Sequence, residues 1–363
     1  MIRRRPSLLV TAAVTLITVV AYGRTPGLQA GPTHEKAQPG NAASGLTAVS
    51  GIKVGHHTLT ARATGCTVIL TEGGAVGAVD VRGPAPATRE TDLLNPENLV
   101  DVVHGIVLSG GSAHGLDTGT GVVRYLEQRK VGFPFGGAYV PIVPGAALFD
   151  LRVGDPLIRP DADCGFRAAQ AATSGPVAEG SVGAGAGATV GKFGGGGRPM
   201  KGGIGTASIA LPDGLIVAAL VAVNAAGDVI DPSNGQVVAG ARTADGNGFI
   251  DVRKTLRTGG VQPPRAGENT TLGVVATNAV LTRPQAKRMA MTAHDGFARA
   301  IFPAHTMVDG DAIFALATGA HKGAVDLSRL DALASVVVAE AILRAVRAAT
   351  GVPGYPAVRD LTR

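Results

Sequence analysis

The sequence predicts an α/β fold in which β-sheets pack on one another and are covered by helices. Three observations predict it. Short apolar runs bounded by Gly, Pro, Asn and Asp recur at strand length. Helical periodicity appears between several of them. The composition is 45% hydrophobic and only 17% charged, with 53 Gly in 363 residues and no Trp. A core of Ala, Val, Ile and Leu with so much Gly, and without a collagen-like period, implies close backbone approach between layers.

Taken in order, Val68–Leu70 and Val76–Val81 read as paired strands around Gly73-Gly74, and 84–97 as a polar loop. Val102–Leu108 reads as a strand that runs into Ser109-Gly110-Gly111-Ser112, followed by a helix over 115–130 with Val122, Val123 and Leu126 on one face. An Ala-rich helix is expected over 165–173. A Gly-rich loop covers 181–203, and a hairpin joins 204–211 to 215–223 across Pro212-Asp213-Gly214. The polar 227–268 stretch reads as a long, mobile connection ending at Asn269. Beyond it come a strand (271–278), an amphipathic helix (284–301), a strand (311–318) and a helix (327–348).

The first 30 residues read as a targeting segment. Arg3, Arg4 and Arg5 precede the apolar run Leu8–Tyr22, which is short for a membrane span. A cleaved signal and an uncleaved N-terminal anchor both fit, with 31–46 as a linker before a single domain over 47–363. Residues 1–30 hold four Arg and no acid, so removing them takes the net charge from +6 to +2. The basic balance belongs to the signal and argues against a nucleic-acid partner. Cys66 and Cys164, the only cysteines, each sit among small apolar residues, a setting that suits buried free thiols somewhat better than a disulfide. His and Cys show no metal-ligand spacing.

Two glycine motifs fall short of the chemistry they suggest. In Gly183–Lys192 the first Walker glycine is replaced by Ala186, and Phe193 stands where a metal-binding hydroxyl belongs. Gly110–His114 lacks the last glycine of a nucleophile elbow. Its strand-to-helix turn still offers the backbone N–H groups of Gly111 and Ser112 as candidate substrate contacts. Asn269-Thr270-Thr271 is more telling. A hydroxyl residue stands at the start of a buried-looking strand, and breaking the Asn269–Thr270 bond would give Thr270 an α-amine beside its own hydroxyl. Asp309-Gly310-Asp311 precedes the next strand, and Asn224 ends the apolar run Val217–Val223.

In their order and spacing these segments resemble the self-processing L-aminopeptidase/D-esterase family, including its branch of 6-aminohexanoate (nylon) oligomer hydrolases. The resemblance runs from about Leu46 to Gly354 and rests on Leu108–Ser112 with Gly115-Leu116-Asp117, Lys201–Ser208, Val221–Asn224, Asn269–Thr271 with Val275–Asn278, and Asp309–Asp311. It implies a four-layer α-β-β-α sandwich similar to N-terminal nucleophile hydrolases. It also implies self-cleavage into 31–269 and 270–363, and tetramers of the processed protomer. Thr270, not Thr271, corresponds to the nucleophile. Asn224 corresponds to an oxyanion donor, with Tyr139 beside it, and Asp309 and Asp311 to a pair that orients the nucleophile, in the manner of the nylon-hydrolase branch. Lys192 matches a catalytic lysine, with Lys201 competing for the role. No metal or cofactor is implied, and the substrate is a small peptide or amide. An acyltransferase related to ornithine acetyltransferase is the alternative of another class.

The targeting segment predicts an exported protein. N-terminal sequencing of fractionated cells should find a chain starting near Pro26 or Gly31 outside the cytoplasm. A chain retaining Met1 in the membrane fraction means an anchor, and an intact N-terminus in the soluble cytoplasm contradicts export.

Overall fold

Side-chain alternation along the central strands decides the architecture. The computed structural model describes residues 45–193, 198–259 and 267–361, so the targeting segment and nearly all of the linker lie outside the described residues. In chain order the strands are β1 (Lys53–Thr58), β2 (Gly65–Val81), β3 (Thr88–Arg89), β4 (Val102–Ser109), β5 (Phe133–Phe135), β6 (Ala138–Val140), β7 (Gly145–Ala147), β8 (Thr189–Val190), β9 (Met200–Lys201), β10 (Gly203–Ala210), β11 (Ile216–Asn224), β12 (Asp228–Ile230), β13 (Val237–Ala239), β14 (Thr270–Thr277), β15 (Ile301–Phe302) and β16 (Ala312–Ala317). The helices are α1 (Thr118–Gln128), α2 (Ala162–Gln170), α3 (Val252–Thr258), α4 (Arg283–Ala300) and α5 (Leu327–Ala348).

The main sheet runs β10-β11-β14-β16-β2-β4-β7-β3, with β1 also on β2. Within it β14 pairs parallel with β16, and β4 with β7. The two halves of β2 serve different neighbours. Residues 65–70 pair with β1 and β4, whereas 76–81 pair with β16, with 75–76 alone returning to β4. One face of the strands then buries Ala218, Leu220, Leu272, Val274, Phe314 and Leu316 in a common cluster with Ile69, Ile106 and Leu108, which is a core between two sheet layers. The opposite face of β11, β14 and β16 packs Val221, Val275 and Ile313 against Met289 and Phe297 of α4 and Val338 and Ile342 of α5. On the other side Val68 and Val107 pack against Val122 and Leu126 of α1 and Ala168 of α2. The layers are therefore helix, sheet, sheet, helix.

Local chemistry explains the element ends. Thr282 and Gln285 form a capping box at the start of α4, with Pro284 in its first turn. Asp161 caps α2 through the Cys164 N–H at 3.1 Å, so that helix starts three residues before the expected 165. The glycines act as the composition implies. A side chain on Gly205 of β10 would run into the Ala341 carbonyl of α5, and one on Gly121 of α1 into the Ala162 carbonyl of α2.

Three expectations need correction. Val68–Leu70 and Val76–Val81 are not two strands but parts of the single β2, because Gly73 and Gly74 (φ 81°) make a bend and a register shift instead of a reversal. The polar 227–268 stretch is not a structureless connection, since it carries β12, β13 and α3. Buried Asp228 organises it by accepting N–H groups of Ala241 at 2.8 Å and Val252 at 3.0 Å. Residues 260–266 of that stretch lie outside the described residues. Cys66 and Cys164 are not free thiols: they are bonded, with Cα atoms 6.3 Å apart, inside the cluster between β2 and α2. Their small apolar surroundings are the two halves of one interior.

The bond closes a loop of 98 residues. Cys164→Ala should lower the unfolding free energy by about 2–4 kcal/mol, read as a lower urea midpoint. Denatured, unreduced protein should show no reactive thiol. A full complement of thiols, or an unchanged midpoint, contradicts the cross-link.

Candidate active site

β14 begins at the residue that the sequence singles out. Thr270 is paired with Asn224, the last residue of β11, in an antiparallel register. It shares parity with Leu272, Val274 and Ala276, which face the core between the sheets, whereas Thr271 shares parity with Val275 on the helix side. Asn224 has the parity of Ala218, Leu220 and Ala222, so the two side chains meet at one end of the inter-sheet layer. Both are buried, Asn224 at 0% exposure and Thr270 at 3%. Strand geometry thus separates the two threonines.

The peptide bond before Thr270 is held from two sides. The Thr270 hydroxyl lies 2.5 Å from the Asn269 carbonyl oxygen, and the Gly310 N–H donates to the same oxygen at 2.8 Å. Gly310 reaches it because Asn269 and Asp309 form a parallel bridge that extends the β14–β16 pairing. A second atom on Gly310 has no room, as it would lie 2.5 Å from the Ala85 carbonyl oxygen and 2.8 Å from the Thr270 hydroxyl. The flanking carboxylates are buried. Asp311 accepts the Thr271 N–H at 2.7 Å through Oδ1, and the N–H and Nδ1 of His305 at 3.2 and 2.9 Å through Oδ2. Asp309 accepts the N–H and hydroxyl of Thr306 at 2.8 and 2.6 Å. Burial, reinforced by Asp311, pushes the Asp309 carboxyl up to about 6.

Asn224 is oriented as firmly. Its Oδ1 accepts the Thr189 N–H at 3.0 Å and the Lys192 ammonium at 3.0 Å, and its Nδ2 donates to the Phe149 carbonyl at 2.9 Å. Two donors on one side and an acceptor on the other fix which way the amide points. Lys192 also donates to the Asn224 carbonyl at 3.1 Å. An amide NH₂ has two protons and an ammonium three, so among the described residues one donor of each has no partner. Burial pushes the Lys192 ammonium down to about 7, while Asp309 opposes the shift. Lys201 goes elsewhere. Its ammonium donates to the carbonyls of Gly185, Ala188 and Gly202 at 2.8, 2.9 and 3.2 Å, a structural post under the Gly-rich loop.

Other expected residues are not brought together. Tyr139 lies on the β5–β6 hairpin opposite Pro134 and makes no hydrogen bond to Thr270 or Asn224. It is Phe149, through its carbonyl, that touches Asn224. The backbone donors of Gly111 and Ser112 are already used, by Asp150 and the Leu148 carbonyl, both at 2.9 Å, so the turn offers neither to a substrate. Sequence reasoning missed His305, Thr306, Thr189 and the Gly310 N–H. The first two carried a signal, since His305-Thr306 stands within seven residues of Asp311. The other two act through backbone N–H groups, which a sequence does not display.

Comparison with known proteins supplies the family. Peptidase family S58 matches residues 44–359. The chain is 42% identical over 349 residues to an uncharacterized aminopeptidase of Mycobacterium leprae, covering 86% of this chain and 92% of that one. It is 30% identical over 335 residues to a 6-aminohexanoate-oligomer endohydrolase of a Kocuria species, covering 85% and 91%. A β-aminopeptidase from a Burkholderia species superposes with a TM-score of 0.61 at 26% identity, over 87% of this chain and 89% of that one. The L-aminopeptidase D-Ala-esterase/amidase of Ochrobactrum anthropi, a variant of the Ntn hydrolase fold, shares the fold with a TM-score of 0.63 at 22% identity, over 88% and 91%. A match over nearly all the described residues, on this layered fold, makes the chain a member of peptidase family S58 and a hydrolase of amide bonds.

Proposed function

We propose that the chain is made as a precursor that cuts its own Asn269–Thr270 bond and then hydrolyses small peptides or amides with Thr270 as an N-terminal nucleophile. The observation that carries the reading is the shared Asn269 carbonyl oxygen, with the Thr270 hydroxyl at 2.5 Å and the Gly310 N–H at 2.8 Å. In the precursor Thr270 Oγ attacks the Asn269 carbonyl carbon while Gly310 N–H stabilises the negative oxygen. The C–N bond then breaks, and the nitrogen takes a proton and becomes the α-amine of Thr270. The ester left on Oγ is opened by water, which leaves Asn269 a carboxylate and restores the hydroxyl. The cut divides the single domain of 47–363 into an α-chain over 31–269 and a β-chain over 270–363.

In the processed enzyme the α-amine, with an ordinary pKa of about 7.7–8, accepts the Oγ proton as Thr270 attacks a substrate amide. The spare donors of Asn224 and Lys192 serve the oxyanion, and Asp309 and Asp311 hold the amine and the strand end. The leaving amine departs protonated, and water hydrolyses the acyl-enzyme. The aminopeptidase reading comes first because of the 42% identical relative. Cleavage of 6-aminohexanoate oligomers is the second, supported by Asp-x-Asp and by the endohydrolase relative. A peptidase match over 44–359 favours water over an acyltransferase's second substrate. Assembly into tetramers remains part of the proposal through the resemblance alone. Export is supported by the Cys66–Cys164 bond, a linkage that persists in oxidising compartments.

Intact mass and a denaturing gel should show a fragment running from Thr270 to Arg363 and beginning Thr-Thr-Leu. Thr270→Ala should leave one chain, while Thr271→Ala should still be cut. Cleavage at another bond, or full activity in an uncut chain, refutes the proposal.

The site's charges set a pH window for self-cleavage. Asp309 ionises as pH rises through about 6. Lys192, facing Asp309, Glu268 and Asp150 with Arg152 opposing, loses its charge as pH rises through about 7. If self-cleavage uses the Lys192 ammonium and the Asp309 carboxylate in their charged forms, its rate should climb through about 6 and fall above about 7. Lys192→Arg, which stays charged, should remove the upper limb, and Lys192→Met should be slow throughout. An upper limb unmoved in Lys192→Arg would show that the ammonium is not the group titrating.

A further inference from the structure

The two carboxylates of the site are each gripped by one residue of a turn to which the proposed reaction gives no part. His305 supplies two donors to Asp311 Oδ2, its N–H at 3.2 Å and its ring Nδ1 at 2.9 Å. Thr306 supplies two to Asp309 Oδ2, its N–H at 2.8 Å and its hydroxyl at 2.6 Å. The Thr306 oxygen also accepts the Val308 N–H at 3.4 Å, which turns its proton toward the carboxylate. Adjacent residues thus make the same paired grip on two acids that are two positions apart.

The grip is anchored in the helix layer. The His305 ring stacks on Phe297 of α4 with centroids 5.8 Å apart, and the ring of His294, also on α4, meets it edge-on at 4.7 Å. His294 is itself tied to the Asp80 carbonyl of β2 at 3.0 Å. That contact makes Nε2 the protonated nitrogen of His294, and burial holds its pKa down to about 4. The neighbour is thus a neutral ring that does not repel His305. Since Nδ1 of His305 faces a carboxylate, it carries the proton in either charge state of the ring. A continuous path runs from α4 through His305 and Asp311 to the Thr271 N–H, one residue from the nucleophile.

We propose that His305 and Thr306 are positioning residues, a two-residue clamp that holds the Asp311 and Asp309 carboxylates in register with Thr270 for both self-cleavage and turnover. The clamp rests on the nucleophile reading above. It requires that removing one donor slow the chemistry without weakening substrate binding, because both side chains are turned to the carboxylates. Two carboxylates this close repel, and without their donors they have no reason to keep the orientation that the nucleophile needs.

Matched pairs of substitutions test it. His305 has φ 55°, a conformation that Asn and Asp both tolerate. His305→Asn places an amide donor where Nδ1 stands, and His305→Asp keeps the Asn shape but sets a carboxyl against Asp311 in place of that donor. Thr306→Ser keeps the hydroxyl, and Thr306→Val keeps the volume. His305→Asp and Thr306→Val should slow processing about tenfold or more and lower kcat of the processed enzyme with KM within about twofold, while His305→Asn and Thr306→Ser stay within about threefold of the unmodified chain. Melting temperatures of all four should be recorded alongside. The clamp is refuted if the donor-less variants process and turn over normally, if the donor-keeping variants fall equally far, or if the losses follow the melting temperature instead of the donor. An unmodified chain that never cuts itself would contradict the nucleophile reading instead, a result distinct from all three of these.

Discussion

Everything at this site depends on one strand register, the pairing of Thr270 with Asn224 at the ends of β14 and β11. A slip of one residue would send the Thr270 hydroxyl to the helix side of the sheet and bring Thr271 to the inner face. The apolar residues along the same strands prevent that slip. Leu272, Val274 and Ala276 would all have to leave the inter-sheet core together. Placement of the Thr270 hydroxyl and core packing are therefore one constraint, and the large buried surface secures the small polar site. Burial also tunes it. Lys192 is pushed down to about 7 and Asp309 up to about 6, which brings an acid and an ammonium with widely separated ordinary values into the same narrow range.

The same economy appears in the support for Asn224. The Phe149 carbonyl that receives its amide belongs to a segment fixed by the next residue. Asp150 is fully buried and accepts from Arg62 at 2.7 Å, Thr64 at 2.5 Å and the Gly111 N–H at 2.9 Å, while Arg62 also donates to the Val153 and Ile158 carbonyls. A buried ion pair is a poor source of stability, but a fully hydrogen-bonded one specifies a geometry. Gly110 and Gly187 leave the room that this carboxylate occupies, since a side chain at either would meet its atoms. The turn that looked like a failed nucleophile elbow is thus part of a scaffold that orients the Asn224 amide.

Much of this was legible in the sequence, and what was not has a physical cause. The element order from β10 to α5 and the layered class followed from periodicity and from the ordered motifs, while the choice of Thr270 over Thr271 came from the resemblance. Short strands β12 and β13 were missed because a buried Asp228, not an apolar run, holds them in place. The bend in β2 looked like a hairpin because Gly-Gly marks a bulge and a reversal equally well. Lys192 and Lys201 carry the same charge in the same loop, and only their partners, an Asn side chain for one and three carbonyls for the other, tell them apart. Tyr139 was placed by resemblance and not by packing, and the hairpin that carries it has no hydrogen bond to the site.

The central claim is that Thr270 is the nucleophile whose Oγ takes the acyl group. The most direct test is to trap the acyl-enzyme. The processed protein, incubated with a slowly deacylating ester and quenched in acid, should gain one acyl group, and peptide mapping should locate it on the first residue of the fragment that begins Thr-Thr-Leu. An adduct on Ser112, on Thr271 or on either lysine, or turnover of the ester with no covalent species in a stopped reaction, would contradict the account.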